Sequence, residues 1–265
     1  MFKFWRKNKS LWPRPNYKIN KEPHFLFILT PAGAGSTALA RLLQTAEGTS
    51  LLNKRGEGIW LVPGMGGENK WEQIKYIDWI SVKSVWMKRI QEINETQKLT
   101  NVIIDKSPSN LVRIDKLTEC FPNHTLAAIN RNPYAYCSSR MYRRYDPENK
   151  STSERIKIIE LLTNEWLSRS GWIIKWIKKY DVIFFTYEQF CSDTAGCIKQ
   201  LATKIPAFIM TDINCYVDVK DYAPQQIINC NEVQISMLSQ NEIDAISRIL
   251  NNNIDTVSFF QYEIM

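Results

Sequence analysis

The sequence predicts a three-layer α/β fold, in which helices cover both faces of a central parallel sheet. Four short apolar runs, at 25–29, 101–104, 125–130 and 181–186, have the length of strands. A continuous apolar run is typical of a parallel strand that is buried on both faces. Helical segments separate the runs, and parallel neighbours require long connections of this kind. The 265 residues, 44% of them hydrophobic, are enough for one domain with a full core.

The first strand leads into a glycine-rich turn and then a helix. The turn ends in Gly35, Ser36 and Thr37, and residues 38–44 have high helical propensity. Backbone N–H groups converge at such a turn, and the helix dipole favours negative charge there. The turn lacks the Lys of a Walker A loop and the spacing of a GxGxxG motif. It therefore predicts an anion site of another kind, with an ordinary connection capped by Ser or Thr as the alternative.

Polar and charged residues follow the other three strands at the point where each apolar run ends. Asp105 and Lys106 follow the second strand, Arg131 follows the third and Tyr187 follows the fourth. Ligands of open parallel sheets bind outside the carboxyl ends of the strands, so these side chains are expected to surround one crevice. Its basic residues favour a polyanionic ligand.

The connections between the strands contain helices and one glycine-rich loop. Residues 71–95 and 153–180 carry apolar side chains at helical spacing, and we expect the tryptophans of the second segment to pack in the core. Half of the ten glycines fall within 56–67. We expect residues 56–72 to form a mobile loop of the kind that often carries function, with a plain surface excursion as the alternative.

Positive charge is concentrated at the amino terminus. The formal net charge is +7, and residues 1–23 hold seven of the basic residues and one acid, which leaves residues 24–265 close to neutral. We therefore expect a basic extension at 1–23, one domain at 24–265 and no nucleic-acid partner. The extension lacks the apolar stretch of a secretory signal, and no run is long enough to span a membrane, so we expect no stable membrane insertion. An interfacial anchor is the alternative to a solvated or edge-packed segment.

The six cysteines form no CxxC pair. This pattern favours buried thiols in a reducing compartment over disulfides or a zinc site. Clustered His, Cys or carboxylate ligands are also lacking, so we expect no metal.

Several motifs, in order, resemble those of sulfotransferases that use 3′-phosphoadenosine 5′-phosphosulfate (PAPS). The turn at 31–37 is similar to the loop that binds the 5′-phosphosulfate in that family. Arg131 and Ser139, eight positions apart, resemble the pair that binds the 3′-phosphate. The segments at 105–108, 121–122, 186–188 and 260–262 also fit, and the resemblance extends from about Phe25 to Tyr262.

The resemblance implies PAPS as donor and adenosine 3′,5′-bisphosphate (PAP) as product. It implies transfer of a sulfuryl group to a hydroxyl, less often an amine, of a small-molecule or glycan acceptor, without a metal. Golgi members of the family carry a transmembrane stem; none is found here, which favours the cytoplasm. The cofactor-binding residues implied are Gly33, Ala34, Gly35, Ser36, Thr37, Ala38, Arg131, Ser139, Tyr187 and Lys220.

The catalytic residues are expected on strand ends and in the glycine-rich loop. His24 and His124 directly precede strands, which places them at the amino ends, away from the crevice. A carboxylate is therefore the expected general base, and Glu57 lies about where some family members place a catalytic Glu. Lys106 is expected to stabilise the transferring group and the bridging oxygen. Asp105 is expected to orient Lys106 or the acceptor, or to form a plain salt bridge with Lys106.

The sequence departs from the family pattern at one position. The basic residue of the phosphosulfate loop would fall near Gly33, where this chain has none. Lys106 covers the task, or Arg41 or Arg140 reaches in, or catalysis is impaired. A catalytically inactive nucleotide-binding protein is therefore one alternative to the enzyme. A P-loop phosphotransferase is another, for which only Asp105 is available to bind Mg²⁺.

Overall fold

The computed structural model describes residues 22–72, 77–96, 99–219 and 223–265. Most of the basic extension and the predicted cofactor residue Lys220 lie outside the described residues. Within these ranges, no helix is both long and apolar enough to cross a membrane.

Five parallel strands form a single sheet, in the order β2-β3-β1-β4-β5. Four of them are the predicted strands, so the predicted fold class is confirmed. The strands are β1 (His24–Leu29), β2 (Thr49–Leu51), β3 (Val102–Asp105), β4 (His124–Asn130) and β5 (Val182–Thr186).

Ten α-helices in the described residues surround the sheet. They are α1 (Ser36–Leu43), α2 (Trp79–Thr96), α3 (Ile114–Cys120), α4 (Pro133–Arg144), α5 (Thr152–Lys179), α6 (Tyr187–Ser192), α7 (Thr194–Ala202), α8 (Asn231–Ile235), α9 (Gln240–Asn251) and α10 (Ile254–Phe259). Short 3₁₀ helices lie at Gly58–Leu61, Glu68–Trp71, Pro108–Val112, Pro147–Asn149 and Pro206–Met210.

The central strand β1 divides the core into two halves, because successive side chains of a strand point to opposite faces. Phe25 and Phe27 pack with α2 to α5, α9 and α10 on one face. Leu26 and Ile28 pack with α1, α6 and α7 on the other. The sheet is thus buried on both sides, which explains its continuous apolar strands.

The long helix α5 supports the chain directly after β4. A capping box formed by Ser151 and Glu154 begins the helix. Trp166 and Trp176 are buried, and the indole N–H of Trp166 donates to the carbonyl oxygen of Arg131 at 2.9 Å. These two tryptophans lie in the core, as predicted, and Trp172 packs partly buried against it. One of them also fixes the backbone of a predicted site residue.

Candidate active site

Two glycines shape the turn between β1 and α1. Gly33 and Gly35 have φ values of 101° and 86°, a region that glycine adopts without strain. Gly35 is the N-cap of α1, and the helix begins at Ser36. Since no side chain caps the helix, the alternative of an ordinary connection capped by Ser or Thr does not apply. A Cβ atom on Gly35 would lie 2.5 Å from Cδ2 of Tyr187. The turn therefore presents backbone N–H groups and a helix N-terminus at the carboxyl edge of the sheet.

Two cavities open beside this turn. Gly35, Ala38, Arg131, Ser139 and Tyr187 line the first, which we term the nucleotide cavity after the ligand expected from the sequence. Glu57, Trp60, Lys106 and Arg140 line the second, which has a volume of about 620 Å³ and which we term the acceptor cavity on the same expectation. Gly33, Ser36, Thr37 and Arg143 line both. The turn thus lies where the two cavities meet.

Arg131 is held in the nucleotide cavity by three contacts. Its Nε atom donates to Oδ1 of Asn231 at 2.8 Å, and its Nη1 atom donates to the carbonyl oxygen of Gly33 at 3.3 Å. The centre of the guanidinium group lies 4.1 Å from the ring centroid of Tyr187. Its Nη2 atom is buried and has no partner among the residues that the structure describes. This nitrogen is available to an anion, which fits a phosphate in the cavity.

Glu188 connects the segments around Arg131. Its Oε1 atom accepts from the backbone N–H of Asn132 at 3.0 Å and from the amide of Asn231 at 2.6 Å. Its Oε2 atom accepts from the hydroxyl of Tyr262 at 3.1 Å. The motifs at 186–188 and 260–262 therefore support the arginine through this carboxylate.

Helix α4 presents polar side chains to both cavities. Asn132 caps the helix by accepting from the N–H groups of Tyr134 and Ala135. Ser139 and Arg143 are four residues apart and line the nucleotide cavity. Arg140 and Arg144 are also four residues apart and line the acceptor cavity. Residues at this spacing share one face of a helix, so one helix serves both cavities.

Glu57 and Lys106 form an ion pair in the acceptor cavity. Nζ of Lys106 lies 2.7 Å from Oε1 of Glu57, and the two side chains are 7% and 20% exposed. The indole N–H of Trp60 donates to Oε2 of Glu57 at 2.7 Å. The backbone N–H of Lys106 donates to the carbonyl oxygen of Gly56 at 2.8 Å, which ties the glycine-rich loop to the end of β3. The structure thus brings together the predicted base and the predicted lysine.

Asp105 has different partners from those expected. Its carboxylate accepts from the backbone N–H of Gly58 at 2.6 Å, from the hydroxyl of Ser107 at 2.8 Å and from the amide of Asn110 at 2.8 Å. The side chain is 1% exposed and lines neither cavity. Asp105 therefore contacts neither Lys106, which pairs with Glu57, nor the space for an acceptor, and this geometry corrects the expectation that it orients either of them or forms a salt bridge with Lys106. Asp105 instead fixes the loop beside Glu57.

Burial sets the protonation of Asp105. Desolvation in the closed site raises the pKa of this carboxyl from 3.8 to about 6, and the donors from Gly58 and Ser107 oppose the rise. Keeping this buried carboxylate ionised therefore costs free energy, and the hydrogen bonds that fix the loop offset part of that cost.

The side chain of Arg140 packs beside Gly33, the position near which the family resemblance places a loop base. A Cβ atom on Gly33 would lie 3.4 Å from Cδ of Arg140. Nη2 of Arg140 donates to both carboxylate oxygens of Glu165, at 3.1 and 3.3 Å, and its Nε atom is buried without a partner in the described part of the chain. Arg41 also lines the acceptor cavity, but its guanidinium donates to Gln44 and to the carbonyl oxygen of Lys54.

The remaining predicted residues are placed as follows. His24 and His124 begin β1 and β4, as predicted, and bond to Thr125 and to the carbonyl oxygen of Phe121. Ala34 is buried and lines neither cavity. All six cysteines are free thiols; Cys137 and Cys197 are buried, as predicted, whereas the other four are half-buried.

Four residues of the site, Arg143, Arg144, Glu188 and Asn231, were not among those predicted, although Glu188 lies in the segment 186–188 that fits the family pattern. The four-residue spacing of Ser139 with Arg143 and of Arg140 with Arg144 was a signal for the two arginines. Asn231 is one hundred residues from Arg131, and no local pattern indicates that contact.

Comparison with known proteins identifies the family. The sequence model of the Sulfotransferase family matches residues 25–205, so the chain belongs to this family. A search among curated protein sequences finds no match.

Solved sulfotransferase structures share the fold. The sulfotransferase from Alicyclobacillus acidocaldarius is similar with a TM-score of 0.54 and 12% identity, over 92% of this chain and 97% of that one. The sulfotransferase STF9 from Mycobacterium avium gives a TM-score of 0.56 and 12% identity, over 91% and 78%. The sulfotransferase domain of the Synechococcus PCC 7002 olefin synthase gives 0.50 and 15%, over 97% and 100%.

Proposed function

We propose that the protein transfers the sulfuryl group of PAPS to a hydroxyl of a small-molecule or glycan acceptor. The observation that carries the proposal is the meeting of two cavities at one anion-binding turn, with Gly33, Ser36 and Thr37 shared between them. A donor bound on one side and an acceptor bound on the other would face each other across this turn, as transfer between two bound molecules requires.

The nucleotide cavity suits PAP and PAPS. The unpaired Nη2 atom of Arg131, together with the hydroxyl of Ser139, provides a site for the 3′-phosphate. The N-terminus of α1, at Ser36 and Thr37, provides N–H groups and a favourable dipole for the 5′-phosphosulfate. PAPS, when bound, supplies an activated sulfuryl group whose leaving group is a phosphate.

Three residues that line the acceptor cavity, Glu57, Lys106 and Arg140, are assigned to the transfer step. Glu57 takes the proton of the acceptor hydroxyl, as that oxygen forms a bond to sulfur and the bond between sulfur and the bridging oxygen breaks. Lys106 and Arg140 stabilise the negative charge on the transferring group and on the leaving phosphate. Arg140 packs against Gly33, so we assign it the share of this task that the family's loop base normally takes.

Binding and turnover assays test the proposal together. Calorimetry should show that PAP binds and that ATP, which lacks a 3′-phosphate, binds at least tenfold more weakly. Radiolabelled PAPS incubated with a panel of phenols, sugars and amines should then give a labelled product. Binding of PAP without transfer to any acceptor or to water would favour the inactive binding protein. Tighter binding of ATP with Mg²⁺ would favour the phosphotransferase.

A further inference from the structure

The acceptor cavity continues into a region that is rich in positive charge. An adjoining space of about 550 Å³ shares Glu57, Trp60 and Arg140 with the acceptor cavity and extends to Arg169 on α5. Lys70 and Arg144 also line both spaces. We term Lys70, Arg144 and Arg169 the distal cations, because none of them lines the nucleotide cavity.

Three acids line this region, namely Glu57, Glu165 and the exposed Asp218, and the first two are already paired. Glu57 forms its ion pair with Lys106, and Glu165 forms its ion pair with Arg140. No described residue forms an ion pair with any of the distal cations. The wall of the cavity therefore carries positive charge that the described part of the chain does not neutralise.

Contacts within the protein restrain the side chain of Arg169 and the backbone of Lys70. The guanidinium group of Arg169 lies 3.6 Å from the ring centroid of Trp71, and its Nε atom is buried without a partner in the described ranges. The carbonyl oxygen of Lys70 accepts from Nη2 of Arg113 at 2.5 Å, which fixes the turn that carries this lysine. Arg144 is the last residue of α4. Fixed cations in a cavity are preorganised for an anion.

The distal cations repel one another and the neighbouring Arg140. Burial lowers the pKa of Lys70, Arg144 and Arg169, and the next cause for Lys70 is the charge of Arg144. The charge of Arg140 lowers the pKa of Arg144 in the same way. Half-buried like charges cost free energy unless an anion joins them, and such arrangements are typical of binding sites.

The donor does not account for these charges. Its phosphates and sulfate are matched by Arg131, Ser139, the N-terminus of α1, Lys106 and Arg140. We infer that the acceptor carries an anionic group of its own, a carboxylate, sulfate or phosphate, which binds to the distal cations while its hydroxyl faces Glu57. This inference rests on the proposed function. The acceptor class is thus a hydroxyl compound with a negative charge, such as an acidic saccharide unit.

Matched acceptors test the charge requirement. Nitrophenyl glucoside is neutral, nitrophenyl glucuronide adds a carboxylate, and the 6-phosphate and 6-sulfate of the glucoside add the other two groups. With radiolabelled PAPS, at least one charged sugar should give kcat/KM about tenfold or more above the neutral sugar. The preferred group distinguishes carboxylate, sulfate and phosphate. Equal or faster transfer to the neutral sugar would overturn the inference.

A binding experiment covers the case in which none of these sugars is a substrate. Protein saturated with PAP is titrated with a hyaluronan tetrasaccharide, a heparin tetrasaccharide, inorganic phosphate and neutral chitotetraose. An anionic probe should bind, and Lys70→Met and Arg144→Gln should each weaken it by about tenfold while PAP affinity stays unchanged. Arg248→Gln removes an exposed arginine that lines none of the spaces described above and should have no effect.

The outcomes separate the two proposals. Absence of PAP binding would refute the proposed function, and the same titrations without PAP would still report on the distal cations. Binding of PAP without binding of any anionic probe would overturn the anionic acceptor alone. Equal losses of probe affinity in Arg144→Gln and Arg248→Gln would also overturn the anionic acceptor, because they would indicate unspecific attraction between the protein and any anion.

Discussion

The side chain of Arg140 packs against Gly33, and its Cδ atom lies 3.4 Å from where a Cβ atom on that glycine would be. The family pattern places a Lys or Arg near Gly33. Here Arg140, a residue of α4, packs the Cγ and Cδ atoms of its side chain against the same turn. Glu165 holds the guanidinium group of this residue by accepting from Nη2, so the charge is fixed beside the turn.

This relationship predicts that Arg140 and Lys106 share the stabilisation of the transition state. Arg140→Met and Lys106→Met should each lower turnover of radiolabelled PAPS by about 10²–10³-fold, because preorganised cations act mainly where charge develops. PAP affinity, measured by calorimetry, should change much less than turnover. Near-normal turnover in Arg140→Met would assign the whole task to Lys106.

A lysine at Gly33 is not expected to restore the rate of the Arg140→Met protein. Gly33 has a φ of 101°, where a residue with a side chain is strained. The double variant should therefore be less stable in thermal unfolding and no more active. A recovered rate would show that the turn can relax and that Arg140 merely fills the space of the missing base.

Arg131 is predicted to recognise the 3′-phosphate. Arg131→Ala should weaken PAP binding by about 2–3 kcal/mol, the usual effect of losing a charge-assisted contact. Binding of adenosine 5′-phosphosulfate, which lacks the 3′-phosphate, should change little. Calorimetry with both ligands checks this, and equal losses would show a general effect on the cavity.

The sequence predicted the four strands with long apolar runs, but not β2. That strand has three residues and begins with Thr49 and Ser50, so its pattern resembles a loop. The sequence also assigned Glu57 and Lys106 to one catalytic site, from the family resemblance and from the strand end that Lys106 follows, and the two side chains form an ion pair. The expected contact between Asp105 and Lys106 is not made, because the carboxylate of Asp105 bonds to Gly58, Ser107 and Asn110 while Lys106 pairs with Glu57. The role of Glu188 was missed because its partners Asn132, Asn231 and Tyr262 come from three distant segments.

Glu57 is predicted to be the general base. Glu57→Gln keeps an oxygen that can accept from Trp60 but removes the base, so turnover should fall by about 10²–10⁴-fold with PAP affinity unchanged. His24→Ala and His124→Ala serve as controls and should keep turnover within a few-fold, because both lie at the amino ends of strands. A larger loss in either histidine variant would reverse the assignment.

Gly35 is predicted to tolerate no side chain. Its φ of 86° strains any other residue, and a Cβ atom would meet the ring of Tyr187 at 2.5 Å. Gly35→Ala should displace that ring from Arg131 and weaken PAP binding by at least tenfold in calorimetry. Gly171→Ala is the matched control, since a Cβ atom there meets nothing within 4 Å inside α5. It should leave PAP binding unchanged and stabilise the helix slightly.

Asp105 is predicted to make stability depend on pH. Its pKa is about 6 in the folded protein and near 3.8 in the unfolded chain, so the folded state keeps a proton that the unfolded state releases between these values. The contribution of this group to stability therefore falls as pH rises from about 4 to 6 and is constant above that range, for a total of at most about 3 kcal/mol.

Asp105→Asn removes the titration, and it also replaces one accepting oxygen by a donor. The variant should be less stable than the wild type at about pH 4, and the gap should narrow by up to about 3 kcal/mol by pH 7. Urea unfolding of both proteins across this range measures the gap, because other titrating groups contribute equally to both. A gap that stays constant from pH 4 to pH 7 would show that the donors from Gly58, Ser107 and Asn110 fully offset the burial of this carboxylate.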